Sequence, residues 1–69
     1  MPYKFHDIQK RLKILWFVVV RQKGSHVIFS NGKTTFPVPN HGNKDISPGV
    51  EKKVIEFVGL DKKDFDNLK

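Results

Sequence analysis

Asn31-Gly32 sits between two short apolar runs, Ser25–Ser30 and Lys33–Val38. An Asn-Gly pair in that setting is the strongest short-range hairpin signal, because a type I′ turn needs a positive φ twice. It commits the two runs to antiparallel pairing. Lys23-Gly24 is a second turn signal, and the run before it, Phe17–Gln22, is rich in β-branched valine. The three runs therefore read as a meander. Pro37 lacks an N–H, which suits an edge position for the third strand.

A three-stranded sheet has no core of its own, so the flanking segments must supply one. Phe5, Ile8, Leu12 and Leu15 recur at spacings of three and four, the apolar stripe of a helix ending near Leu15 or Trp16. After a polar loop, Pro39–Ile46, Ser47 reads as an N-cap with Pro48 at the first helical position. Val50 at N3 rules out a capping box. Val50, Val54, Phe57 and Val58 form the expected buried stripe of this helix, with Ile55 on its border and Gly59 as its C-terminal cap. Asp61 is expected to cap one more short turn. Phe65 and Leu68 would pack back, and the tail would fray. The order is α-β-β-β-α, and both helices must cover the same face of the sheet. This is an α+β layout, that of double-stranded-RNA-binding domains. Residues 1–69 are expected to form a single domain. So short a chain buries only roughly 60% of its unfolded surface, so any site must be shallow.

Lys plus Arg number 13 against 7 for Asp plus Glu, a net charge of +6. The first 44 residues carry eight of the cations and a single acid, Asp7. A polyanion is the natural partner for such a field, with nucleic acid the first candidate and an anionic membrane the second. The absence of cysteine excludes disulfides and thiolate zinc sites and fits a reducing cytosol. His6, His26 and His41 have no metal-ligand spacing, so neither metal nor cofactor is expected. The longest apolar run, Ile14–Val20, is far short of the ~20 residues of a spanning helix. The expectation is a soluble, cytoplasmic, monomeric chain without membrane association.

Alternation along the second strand puts His26, Ile28 and Ser30 on one face and Val27 and Phe29 on the other. Val27 and Phe29 make the better core pair, so His26 should point away from the helices. A histidine can take or give a proton at neutral pH, and RNA supplies its own nucleophile in the 2′-OH. Arg21 and Lys23 would hold the phosphate, Gly24 would let the backbone approach it, and Ser25 could donate a hydrogen bond. Lys10, Arg11 and Lys13 on the first helix extend the basic surface. Lys44, near the start of the second helix, is a further phosphate contact. His6 reads as a surface residue. Lys52, Lys53, Lys62 and Lys63 read as a solvated face that could lengthen an RNA footprint. The first strand is apolar on both faces, so periodicity does not assign them. Either way, aliphatic residues are left exposed on the sheet face opposite the helices, and such a patch often marks a protein partner.

The run Phe17-Val18-Val19-Val20-Arg21-Gln22-Lys23-Gly24-Ser25-His26 resembles the hallmark of the HicA-like mRNA interferase toxins, also called the YcfA-like family. Phe36-Pro37-Val38-Pro39 resembles the family's Pro-rich exit. Lys44-Asp45-Ile46-Ser47-Pro48-Gly49 resembles its lysine loop and helix start. The resemblance covers roughly residues 6–66. It implies a toxin that cleaves mRNA without a metal and is neutralised by a HicB-like antitoxin. It also implies that His26 is catalytic and Gly24 a hallmark position, with Lys23 and Ser25 as neighbours. Two departures stand out. Many relatives have a glycine just before the aromatic that opens the first strand, where this chain has Leu15-Trp16-Phe17. Some have a second histidine, where this chain has Val27. A non-catalytic RNA-binding module, or an interaction domain using the open sheet face, are the alternatives.

Overall fold

The structure, a computed structural model, describes residues 2–68. Its elements are α1 (Phe5–Ile14), β1 (Val18–Lys23), β2 (His26–Ser30), β3 (Thr35–Pro39), α2 (Pro48–Val58) and α3 (Lys62–Asp66). The strands form one antiparallel sheet in the order β1-β2-β3, so β1 and β3 are both edges. The α-β-β-β-α architecture expected from the sequence is present, with α3 appended.

The core lies on one face of the sheet. Val27, Phe29, Phe36 and Val38 project from β2 and β3 onto Ile8 and Leu12 of α1 and Val54 and Ile55 of α2, all of them buried. Ile55 is thus central to the α2 stripe rather than on its border. Phe57 takes the rim position, half exposed but stacked on Phe36 at 4.9 Å between ring centroids. Ser47 caps α2 as expected, its hydroxyl accepting from the Val50 N–H at 3.3 Å, and Gly59 closes it with φ 78°.

Two turns differ from expectation. The first hairpin turns on Gly24-Ser25, with Gly24 at φ 59°, instead of Lys23-Gly24. In the second, Gly32 has a positive φ and Asn31 does not, so no type I′ turn forms. The Asn31 Oδ1 instead accepts from the N–H groups of Lys33 and Thr34, at 2.9 and 2.8 Å. A side chain that supplies its own turn bonds widens the loop to Asn31–Thr34 and starts β3 at Thr35.

A third difference lies in β1. Val19 pairs with Phe29, but Arg21 pairs with Ile28, so Val20 is the extra residue of a β-bulge. The bulge breaks the strict alternation of the strand. Val19 lies on the helix face and Arg21 on the open face.

The α1 terminus is a Schellman motif. The Phe17 N–H donates to Leu12 O at 2.9 Å and the Trp16 N–H to Lys13 O at 3.1 Å, while the buried Phe17 and Leu12 supply its apolar contact. The motif requires a left-handed residue, and Trp16 takes that role at φ 69°. The left-handed position is therefore occupied by a side chain that costs about 1–2 kcal/mol there, where glycine would cost nothing. Trp16 is 84% exposed, so its ring returns little to the fold. Trp16→Gly is expected to raise stability by about 1 kcal/mol, read by chemical denaturation; a loss of stability would contradict this assignment.

The C-terminal segment is tied down rather than frayed. Phe65 is fully buried and meets Tyr3 edge-on at 5.7 Å between centroids. The Tyr3 hydroxyl donates to Asp66 Oδ1, and Lys62 Nζ lies 3.0 Å from Asp66 Oδ2. Asp61 stands at the N-cap of α3, but its side chain makes no capping bond. Burial, and then the bond to Asp66, push the Tyr3 phenol up to about 12. The same Tyr3 bond, followed by Lys62, holds the Asp66 carboxyl below the usual carboxylate range. The signs are opposite. Asp66 contributes stability above its unfolded pKa that is lost as pH falls through its folded one. Tyr3 contributes stability below its unfolded value of about 10 that is lost as pH rises towards 12. The single tyrosine should therefore titrate about two units late by tyrosinate absorbance. Tyr3→Phe should lose less stability over the same alkaline window; an ordinary tyrosine titration would contradict the Tyr3–Asp66 bond.

Candidate functional site

His26 opens β2 directly after the tight Gly24-Ser25 turn. It pairs with Lys23 of β1 on one side and Pro39 of β3 on the other. Its strand neighbour Val27 is buried in the core while His26 is exposed, so the imidazole stands on the open face, as alternation expects. Among the described residues it has no side-chain hydrogen bond and no carboxylate partner. Both ring nitrogens are free to meet a ligand.

The hairpin beneath it is held by backbone. The Asn40 N–H donates to Ser25 O at 2.7 Å, fastening the end of β3 to the turn. Gln22 Nε2 donates to Gly24 O at 3.2 Å. The positive φ of Gly24 makes the two-residue turn possible, and a side chain there would be strained. Arg21 lies on the same open face, opposite Ile28. Lys23, Arg21 and His26 thus form one exposed basic strip across β1 and β2.

On the other side of His26 a groove of about 560 Å³ runs between β3 and α2. Its walls include Pro37 and Pro39 from the sheet and Gly49, Val50, Lys53 and Phe57 from the helix. Ser47 and Gly49 bring the first turn of α2 to it, and a helix N-terminus carries partial positive charge. Lys53, expected on a solvated face, lines this groove beside His26. Helical spacing from the N-cap could have placed it on the side of α2 that turns towards the sheet edge.

The remaining candidates are dispersed. Lys10 and Lys13 are exposed on α1, which covers the sheet face opposite His26. They make a basic surface of their own. Lys44 is exposed in the loop before α2, and the groove beside His26 is walled by α2 and β3 rather than by it. Arg11 is committed within the fold. Its Nε donates to Phe65 O at 3.1 Å, its other nitrogens to Asp7 O and Asp66 O, and its guanidinium lies 4.5 Å over the Tyr3 ring. It clamps α3 to α1, so its guanidinium is engaged inside the fold rather than standing free like Lys10 and Lys13. Among the described residues no group of three or more His, Asp or Glu could hold a metal ion, and no helix is long and apolar enough to cross a membrane.

Two helices over one face of a three-stranded meander, with a free imidazole and cations on the other, define a protein of the double-stranded-RNA-binding-domain-like class. A family model described as the HicA toxin of bacterial toxin–antitoxin matches residues 5–60. The chain belongs to that family, the toxins of toxin–antitoxin pairs, and an antitoxin partner goes with that membership. No curated protein matches it.

Proposed function

We propose that this toxin is a metal-independent endoribonuclease that binds and cleaves mRNA, with His26 as its general acid or base, and that a HicB-like antitoxin restrains it. The observation that supports this most is the placement of His26: exposed, unpaired, and set between the Lys23–Arg21 strip and the groove bearing Lys53. RNA across the open face would lay its phosphates along the strip. As base, His26 takes the proton of a 2′-OH while its oxygen attacks the adjacent phosphorus. As acid, it returns a proton to the departing 5′-oxygen. The new O2′–P bond replaces the P–O5′ bond, leaving a 2′,3′-cyclic phosphate and a 5′-hydroxyl. Lys23 and Arg21 stabilise the charge that grows on the phosphoryl oxygens. Residues 1–69 act as one domain in this reading, with Gly24 and Ser25 placing backbone close to the phosphate.

The test is incubation of purified toxin with mRNA in excess chelator. Cleavage should persist. Salt-sensitive binding without cleavage would favour a non-catalytic RNA-binding module, and cleavage abolished by the chelator would overturn the metal-independent mechanism.

A further inference from the structure

β1 is an edge strand whose six residues are all exposed, and among the described residues its outer row of backbone groups has no partner strand. Edge strands are usually guarded by charge, proline or a bulge. Here the cations Arg21 and Lys23 guard the second half, and the bulge at Val20 bends the strand only where the two halves meet. The first half carries Val18, Val19 and Val20, each about half exposed, with Ile14 and Trp16 beside them. Trp16 is the most exposed large apolar side chain among the described residues, held in a left-handed backbone that glycine would occupy without strain. The fold gains nothing visible from the ring.

The geometry points to a docking site: the antitoxin adds a β-strand of its own along Val18–Val20, anchored by Trp16. This rests on the toxin–antitoxin pairing and not on the nuclease chemistry. A free strand edge is completed by another strand. Apolar residues occupy the centre of the patch and cations its rim, in Lys13, Arg21 and Lys23, which is the anatomy of a protein interface. An RNA surface would place the cations where the phosphates run. Lys13, Arg21 and Lys23 are all cations, so the incoming strand should be flanked by Asp or Glu. α1 leaves room for it: a shallow groove of about 240 Å³ lies between Gln9 and Lys13 of that helix and Val18 and Val19 of β1. Alternate side chains of the added strand can sit there.

The test measures binding of the full toxin to the antitoxin encoded with it, for wild type, Trp16→Gly and Val20→Lys, alongside the thermal midpoint of each free toxin. Trp16→Gly should raise the midpoint yet weaken the complex about 30-fold or more, the loss typical of a buried tryptophan anchor. Val20→Lys should weaken the complex with the midpoint little changed. Amide exchange of β1 should slow on complex formation. Affinity unchanged in both variants would overturn the proposal. So would a Trp16→Gly toxin that keeps its antitoxin affinity but binds RNA less tightly, or a free toxin that self-associates through this edge. Because the readout is antitoxin binding, a wild-type toxin that bound through Trp16 but cut no RNA would defeat the nuclease reading and leave this one standing.

Discussion

His26→Ala is expected to lower RNA cleavage by about 100- to 10,000-fold while leaving the fold and RNA affinity nearly intact. The fold should hold because His26 is exposed and bonds to no other side chain among the described residues. Affinity should hold because the proposed mechanism draws its phosphate contacts from Lys23 and Arg21 rather than from the imidazole. Growth inhibition on expression should vanish with the activity. Equal cleavage by the two purified proteins would remove His26 from the mechanism. A variant that failed to bind RNA at all would make it a contact residue instead. Circular dichroism of the variant separates both results from misfolding.

Phe65→Ala carries the largest expected effect on stability. Phe65 lies at the junction of α3, Tyr3 and Arg11, with the Arg11 guanidinium 6.0 Å from its ring centroid. Deleting a buried phenyl costs about 3–5 kcal/mol. A domain of this length is stable by only about 3–10 kcal/mol, so most of that margin would go. The variant should be largely unfolded near body temperature, whereas Asp64→Ala, exposed on the same helix, should be nearly neutral. A loss below about 1 kcal/mol for Phe65→Ala would show that α3 is not part of the core. The matched family region ends at residue 60, before α3 begins, so this places structural weight outside it.

The elements were legible in the sequence because their periods are clean. Phe5, Ile8 and Leu12 mark one face of α1, and Val27 and Phe29 alternate with His26 and Ile28. That alternation alone turned His26 outward. The bulge was not legible, because three consecutive valines look the same in any register. Asn31-Gly32 correctly marked a hairpin but not its turn, since the Asn31 side chain competes with the backbone for the turn bonds. Arg11 looks like any surface cation in the sequence, and two of its hydrogen-bond partners are 54 and 55 residues downstream. The groove wall shared by His26, Pro39 and Lys53 exists only after α2 packs beside β3, so no local pattern announces it.

The chemistry of the cut ends tests the central claim most directly. A short RNA is cleaved with chelator present, and the products are analysed by mass. The account requires a 2′,3′-cyclic phosphate on one fragment and a 5′-hydroxyl on the other, and no cut at a nucleotide whose 2′-OH has been replaced by hydrogen. A 3′-hydroxyl facing a 5′-phosphate, or unimpaired cutting at the 2′-deoxy position, would contradict it.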